Sequence, residues 1–171
     1  SYPEWVKALQ SANDKNIAGK EKYLDLLETI KTCGREKDLL KARRLHTDVK
    51  RWISKDSYVS NALIRTYGKC GALPEAQELF DHLSYRGVVS WNVLIAGYVE
   101  HGLNDQAVKI FKQMEAERIT PDAVTFISSL KACASIGAID RGHQIHTEIV
   151  TKNLLRTNIP VGNTLVDMYA K

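Results

Sequence analysis

Three stretches of this sequence repeat one another, and this repetition constrains the fold more than any other feature. They are SNALIRTYGKCG at residues 60–71, VVSWNVLIAGY at residues 88–98 and GNTLVDMYAK at residues 162–171. Each sets an asparagine, namely Asn61, Asn92 or Asn163, before a small residue, a leucine and a further aliphatic residue. An asparagine is mildly unfavourable inside a helix, so its return in one register needs an explanation beyond chance.

A second pair of repeated stretches gives the period. KTCGREKDLLKARRLH at residues 31–46 returns as KACASIGAIDRGHQIH at residues 131–146, an offset of 100 positions. The asparagines are separated by 31 and then by 71 positions. A repeat of about 31–36 residues fits all of these spacings. Self-similarity at that period is typical of a solenoid of helical hairpins, each too small to bury its apolar face alone.

Each repeat has the pattern of two helices. In two repeats the second helix carries an apolar stripe at helical spacing: Leu73, Ala76, Leu79, Phe80 and Leu83, then Leu103, Ala107, Ile110, Phe111 and Met114. Gly71, Gly102 and Gly137 lie where a first helix must end, and glycine adopts the left-handed C-terminal conformation without strain. No strand pattern competes. The sequence therefore predicts an all-α fold of antiparallel helix-turn-helix repeats.

Composition bounds the class of protein. Of the 171 residues, 44% are hydrophobic and 26% charged, and no apolar run approaches the roughly 20 residues of a membrane span. The three cysteines include no CxxC pair, which argues against a disulfide framework or a zinc site and favours a reducing compartment. The net charge is +4, with 13 Lys and Arg against 9 Asp and Glu in residues 1–60, which weakly favours an anionic partner.

Residues 88–122, VVSWNVLIAGYVEHGLNDQAVKIFKQMEAERITPD, resemble a pentatricopeptide repeat (PPR) of the P type, and the neighbouring repeats resemble the variant repeats of the plant PLS subfamily. The resemblance divides the chain into a capping segment at 1–22, a degenerate L repeat at 23–56, an S repeat at 57–87, the P repeat at 88–122, an L repeat at 123–158 and part of an S repeat at 159–171. Tetratricopeptide repeats have a similar length, but their W-LG-Y spacing is absent from every repeat here.

This resemblance implies a right-handed superhelical solenoid whose first helices line a concave groove. It also implies a ligand, single-stranded RNA in a chloroplast or mitochondrion, read at about one base per repeat. PLS tracts belong to RNA editing and processing factors and often precede a deaminase-like domain, but the H-x-E and C-x-x-C signature of that domain is missing from this chain. We expect a piece of a longer protein, without catalysis or a cofactor of its own and with no membrane segment.

The family resemblance also points to the residues that select a base: the fifth residue of a repeat and its last. In the P repeat these are Asn92 and Asp122, a combination that implies uracil, whereas threonine beside Asp122 would imply guanine. An amide offers a donor and an acceptor to a pyrimidine edge, and a nearby carboxylate can orient it. Val89, the second residue, is expected to press on the base. The alternative is that Asn92, with Ser90, caps one helix and Asp122 caps the next.

The same positions in the other repeats supply further candidates. Asn61 has the amide, but its repeat ends in Gly87, and the partner of Asn163 lies beyond the chain given. The L repeats pair Leu27 with Asp56 and Ile127 with Asn158, and an aliphatic residue cannot hydrogen-bond a base, so we expect these repeats to act as spacers. Asn158 remains a candidate base contact. Tyr58 and Val124 occupy the stacking position of Val89.

Charged residues suggest where the RNA backbone could be held. Lys69 and Lys171 match a position at which the family often has a phosphate contact, and the P repeat has Glu100 there instead. The run KARRLHTDVKRWISK at residues 41–55 has six basic residues and one acidic residue. Because it falls on a second helix, we interpret it as a solvated outer face, with a second RNA contact as the alternative.

Histidines, cysteines and tryptophans are interpreted as structural. His46, His143 and His146 lack the further ligands that a metal site needs, so we expect them to pack between helices. The cysteines Cys33, Cys70 and Cys133 fit buried thiols better than nucleophiles, and Trp52 and Trp91 fit positions in the core or the groove wall better than base stackers. A protein-interaction scaffold that recruits editing partners through the L repeats is the second functional hypothesis.

Overall fold

A computed structural model describes residues 17–50 and 53–171, and the chain divides into an N-terminal body, Ser1–Tyr85, and a C-terminal body, Arg86–Lys171. Within the described residues every regular element is a helix. None of these helices is both long and apolar enough to cross a bilayer. The predicted all-α fold, a helical solenoid built from helix-turn-helix repeats, is confirmed at this level.

The N-terminal body has two layers of helices. Its elements are α1 (Ile17–Glu36), α2 (Leu39–Val49), a short 3-10 helix (Ile53–Lys55), α3 (Ser57–Lys69) and α4 (Leu73–Asp81). The first helices of the two hairpins, α1 and α3, pack side by side, and α2 and α4 pack against them. Each hairpin therefore completes its core with the neighbouring hairpin, as expected for a repeat that is too small to fold alone.

The C-terminal body repeats this arrangement with three first helices. Its elements are α5 (Val88–Glu100), α6 (Asn104–Ala116), α7 (Ala123–Ile136), α8 (Ile139–Thr151), the short α9 (Leu154–Thr157) and α10 (Ile159–Tyr169). Helix α7 lies between α5 and α10, with α6 and α8 packed behind. The extra turn α9 was not predicted.

The turns within the hairpins are formed as the glycines predicted. Gly71, Gly102 and Gly137 have φ values of 74°, 72° and 68°. Lys37 has a φ of 56° at the turn between α1 and α2. In each of these four hairpins the left-handed residue follows the end of the first helix, so the chain can reverse direction within a few residues.

The predicted apolar stripes form the core, with one exception. Leu73, Ala76, Leu79, Phe80 and Leu83 are buried in the N-terminal body, as are Ala107, Ile110, Phe111 and Met114 in the C-terminal body. Leu103 was also predicted to be buried, but it is 46% exposed. It is the residue before α6 rather than part of it, so its side chain does not point along the buried face.

A close contact between α1 and α3 depends on Gly34. A Cβ at this position would lie 3.1 Å from Thr66 Oγ1 and 3.3 Å from Thr66 Cα. The Thr66 hydroxyl donates a hydrogen bond to the Ile30 carbonyl oxygen across the same contact, at 2.9 Å. The missing side chain therefore sets the distance between these two first helices.

The predicted start of the first repeat, at residue 23, does not coincide with a helix end. Helix α1 spans Ile17–Glu36, so the predicted boundary between residues 22 and 23 falls inside a helix. Most of the predicted capping segment, residues 1–16, lies outside the described residues, as do Arg51 and Trp52.

Candidate nucleic-acid interface

Asn92 and Asp122 are in direct contact in the C-terminal body. The Asn92 Nδ2 atom donates a hydrogen bond to Asp122 Oδ1 at 3.0 Å. The Asn92 Oδ1 atom accepts a hydrogen bond from the Thr125 hydroxyl at 2.6 Å. Asn92 is 7% exposed, so a ligand can reach only an edge of its amide. The two residues proposed from sequence to act together are therefore neighbours, joined by a third residue.

Asp122 has a structural task as well. It is the N-cap of α7 and forms a capping box: its Oδ1 atom accepts from the Thr125 N–H at 3.0 Å, and its own N–H donates to Thr125 Oγ1 at 3.1 Å. Partial burial alone would raise the pKa of the Asp122 carboxyl, but the hydrogen bonds from the Thr125 N–H and the Asn92 amide, with others, outweigh it and lower the pKa. At neutral pH the group is a carboxylate and acts only as an acceptor.

Asn92 is not a cap. Helix α5 begins at Val88 after the N-cap residue Gly87, which makes no side-chain capping hydrogen bond. Asn92 is the fifth residue of the helix and lies beyond the first turn. The capping alternative is therefore right for Asp122 and wrong for Asn92, whose amide has no helix end to satisfy.

Exposed apolar side chains recur beside this position. Tyr58, Val89 and Val124, the candidate stacking residues, are 75%, 53% and 53% exposed. Each is the second residue of a first helix. Leu24, the second residue of the predicted repeat 23–56 although not of its helix, is 52% exposed and was not among the predicted contacts. Exposed apolar residues in one register provide flat surface for a planar ligand.

Comparison with known sequences decides the family. Residues 86–135 match the profile of the PPR repeat family, and residues 58–88 match that of the PPR repeat. The chain belongs to the pentatricopeptide repeat family. A chloroplastic pentatricopeptide repeat-containing protein of Arabidopsis thaliana is 35% identical over 143 residues, which make up 83% of this chain and 23% of that protein. A mitochondrial one from the same plant is 40% identical over 115 residues, or 67% of this chain and 17% of that protein.

These two relatives give information on the cellular location and on the share of a full-length family member that this chain represents. Their names place one in the chloroplast and the other in the mitochondrion, so the predicted organellar location is confirmed at that level. The chain spans less than a quarter of the length of each.

In the first L-type PPR candidate, residues 23–56, the last residue, Asp56, is hydrogen-bonded to groups other than the fifth residue of the repeat. Asp56 caps α3 by accepting from the N–H groups of Tyr58 and Val59, at 3.0 and 3.1 Å. The Tyr23 hydroxyl also donates to it, at 2.9 Å from Oδ2. Burial, and then this hydrogen bond, raises the pKa of Tyr23. Leu27, the fifth residue, is half-buried and offers no polar atom.

The second L-type candidate, residues 123–158, is similar. Asn158 caps α10, its Oδ1 atom accepting from the Val161 N–H at 3.2 Å. Ile127, the fifth residue, is half-buried and has no side-chain group that could hydrogen-bond Asn158. In both L-type candidates the last residue is therefore a helix cap without an amide partner.

The two other asparagines in this register differ from Asn92. Asn61 is half-buried, and its Oδ1 atom is buried without a hydrogen-bond partner among the described residues. Asn163 is exposed on α10. The buried amide oxygen of Asn61 is a polar atom that a ligand or water could satisfy.

The proposed phosphate-contacting lysines lie in different surroundings. Lys69 is half-buried at the end of α3, with its Cδ atom beside Gly34. Lys171 lines a groove of about 710 Å³ in the C-terminal body together with Lys131, Glu100 and Asp167. The groove lining contains two lysines and two acidic residues, so its formal charge is balanced.

The described part of the basic run, which continues past α2 into the 3-10 helix, is mostly exposed. Lys41, Arg44, Lys50 and Lys55 are exposed, and Arg43 forms an ion pair with Glu75. Such a distribution is that of a solvated second helix, which agrees with the first interpretation of this run.

The histidines pack between helices, as expected. His46 on α2 contacts Tyr67 on α3, and His146 on α8 contacts Tyr169 on α10. Within the described residues, no group of three or more His, Cys, Asp or Glu side chains is placed to hold a metal ion.

The cysteines and Trp91 also have structural places. Cys33 and Cys133 are buried, Cys70 is half-buried, and all three are free thiols. Burial raises the pKa of each thiol, which makes it a poor nucleophile at neutral pH. Trp91 is fully buried and therefore part of the core rather than a base-stacking surface.

Thr125 is the site residue that the sequence analysis missed. Its signal was present, because Asp122 followed three positions later by Thr125 is a capping-box pattern. That pattern predicts the bond between these two residues, but not the contact with Asn92, which arises only when α5 and α7 pack together.

Proposed function

We propose that this chain binds single-stranded RNA and reads uracil at the Asn92–Asp122 pair. The observation that carries the proposal is the 3.0 Å hydrogen bond between Asn92 Nδ2 and Asp122 Oδ1, which joins the fifth residue of one repeat to its last. This pair lies inside the segment that matches the PPR repeat family. Its geometry provides an oriented amide, largely buried, with one edge open to a ligand.

The unused hydrogen-bonding capacity of Asn92 suits a uracil edge. An amide nitrogen has two hydrogens, and Asp122 takes one of them. An amide oxygen has two lone pairs, and the Thr125 hydroxyl takes one of them. One donor and one acceptor remain, matching a base that presents carbonyl oxygens beside an N–H. Adenine at this place would present a different edge, and either purine would present a larger ring.

The exposed second residues supply the apolar part of the site. Val89 and Val124 belong to adjacent first helices in the C-terminal body, and a base between them would be covered on its faces. Base stacking contributes roughly 1–3 kcal/mol per base by truncation of the contacting side chain. The amide then selects among bases that stack about equally well.

The repeats at 23–56, 57–87, 88–122, 123–158 and 159–171, after the segment 1–22, are our proposed frame. We place the L repeats as spacers because Leu27 and Ile127 cannot hydrogen-bond a base. Asn61, Asn163 and Asn158 are secondary base contacts, Tyr58 stacks in the S repeat, and Lys69 and Lys171 contact phosphate. The frame corresponds to a PLS tract.

We place the parent protein among organellar RNA editing or processing factors and assign no catalytic step to this chain. A partner protein, docked through the L repeats, would supply the chemistry. The chloroplastic and mitochondrial relatives support the organellar part of this proposal.

The test is a titration of this chain with oligouridine and oligoadenosine at two salt concentrations. The proposal requires tighter binding of oligouridine and a steep loss of affinity with salt, because phosphate contacts release counterions. Equal affinity for both RNAs would contradict base selection. No binding of either RNA would favour the protein-interaction scaffold instead.

A further inference from the structure

The third residue of each first helix varies together with the fifth residue of the preceding repeat. The third residues of α3, α5, α7 and α10 are Val59, Ser90, Thr125 and Val161. The corresponding fifth residues are Leu27, Asn61, Asn92 and Ile127. A hydroxyl follows each amide, and a valine follows each aliphatic residue. Helix capping does not require the hydroxyl, because Asp56 and Asn158 cap their helices before a valine. In the Asn92–Thr125 pair the hydroxyl donates to the amide oxygen.

Thr125 cannot contact RNA directly. Its residue surface is fully buried, whereas Asp122 beside it is exposed. Its hydroxyl lies 2.6 Å from Asn92 Oδ1 and 3.0 Å from Asp122 Oδ1. A hydroxyl has one hydrogen to donate, and the shorter contact indicates that Asn92 receives it. Any influence of Thr125 on a bound base therefore passes through the amide.

We infer that Thr125, although it belongs to the next repeat, is a positioning residue that fixes the orientation of the Asn92 amide and so discriminates uracil from cytosine. The inference rests on the proposed function, because it assumes that a base meets this amide. The ligand class is a pyrimidine that carries a carbonyl group, rather than an amino group, on its pairing edge.

The chemistry follows from the two ends of the amide. The Asp122 carboxylate accepts only, so the nitrogen of Asn92 faces it, and Thr125 donates to the oxygen. In this orientation the second N–H of Asn92 is directed by two partners rather than one. With the hydroxyl present, rotating the Asn92 amide by half a turn breaks two hydrogen bonds, those with Asp122 and Thr125; without the hydroxyl it breaks only the one with Asp122. The oxygen of the rotated amide would then accept a hydrogen bond from the amino group of cytosine.

The experiment compares Thr125→Val with Thr125→Ser in the full 171-residue chain. Valine keeps the shape of threonine and removes the hydroxyl; serine keeps the hydroxyl. Thr66→Val is the matched control, since Thr66 is also buried and donates to a backbone oxygen at 2.9 Å, far from this site in sequence. Affinity is measured for RNAs that differ only by uracil or cytosine at the position opposite Asn92.

The expected result is a fall of about 3- to 10-fold in the uracil-to-cytosine affinity ratio for Thr125→Val, the size of one ordinary hydrogen bond. Thr125→Ser should restore the ratio, and Thr66→Val should lose stability without changing it. A ratio unchanged in Thr125→Val, with wild type preferring uracil, would overturn the inference and leave the proposed function standing. A wild type without base preference would overturn both.

A second measurement tests the contact without RNA. In the side-chain amide region of a nitrogen–proton NMR spectrum, Thr125→Val should shift the two Asn92 Nδ2 proton signals and speed their exchange with water, whereas Thr66→Val should leave them in place. Unchanged Asn92 signals in Thr125→Val would contradict the positioning role, whether or not RNA binds.

Discussion

The Nδ1 atom of His46 lies 2.9 Å from the hydroxyl oxygen of Tyr67, with the two rings edge to face at 5.7 Å. His146 and Tyr169 repeat the pairing at 3.0 Å and the same ring distance. In each body a second helix is thereby tied to the next first helix. Packing between neighbouring helical hairpins therefore explains why His46 and His146 recur at equivalent positions.

The burial of His46 makes stability depend on pH. Burial, and then the charge of Lys50, lowers the pKa of His46 below its usual 6.5, against the opposing charge of Glu78. The folded protein therefore holds fewer protons at this residue than the unfolded chain, and stability present above pH 6.5 is lost as the pH falls below it. Urea unfolding between pH 8 and pH 5 should show this loss, and His46→Gln should reduce it.

Tyr67→Phe is the control for this prediction. It removes the hydroxyl but keeps the ring that buries His46, so stability at pH 8 should fall by about 0.5–1.5 kcal/mol while the pH dependence persists. A pH dependence that is the same in wild type and His46→Gln would show that another group is responsible.

Gly34→Ala should destabilise the N-terminal body. The new Cβ would lie 3.3 Å from the backbone Cα of Thr66, so α1 and α3 must move apart. We expect a net loss of about 1–2 kcal/mol by thermal or urea unfolding, since overpacking outweighs the gain in helix propensity. The matched variant is Gly162→Ala in α10, where a Cβ meets nothing within 4 Å, and stability should hold or rise by up to about 1 kcal/mol. Equal effects at both positions would contradict the close-contact role of Gly34.

Asp122→Ala and Asp38→Ala separate capping from recognition. Asp38 caps α2 by accepting from the Lys41 N–H at 3.0 Å, and Asp122 caps α7, so each variant should lose about 1 kcal/mol, up to 2, of stability. Only Asp122→Ala should also reduce the preference for uracil, in RNA titrations at neutral pH. A loss of preference in both variants would trace the effect to stability alone.

The lowered pKa of Asp122 predicts how the stability difference between wild type and Asp122→Ala changes with pH. Its contribution to stability is present above the usual carboxyl pKa of 3.8 and is lost as the pH falls through the lower folded value. The stability difference between wild type and Asp122→Ala should therefore shrink in strong acid. A difference that stays constant down to the lowest pH would contradict the carboxylate's role.

Most of the hairpin architecture was predictable because it rests on local signals. Apolar spacing located the second helices, and Gly71, Gly102 and Gly137 located the turns, since each depends on a few consecutive residues. Leu103 was misplaced because periodicity does not define a helix start to the residue.

The candidate site was predictable only in part. The repeated register brought Asn92 and Asp122 forward as a pair, and the resemblance to a family supplied their meaning. Thr125 could be identified as a capping residue but not as the partner of Asn92, because that contact requires α5 and α7 to be packed. Likewise, the sequence could not show that the Tyr23 hydroxyl donates a hydrogen bond to the Asp56 carboxylate.

The most direct test of the account is the base preference opposite Asn92. Affinity would be measured for four RNAs that differ only at this position, with wild type and Asn92→Thr compared under identical salt. The account expects wild type to prefer uracil over purines by on the order of 1–3 kcal/mol, and Asn92→Thr to lose that preference in favour of guanine. An unchanged preference in Asn92→Thr, or an equal loss of affinity for all four RNAs, would contradict recognition of the base by this amide.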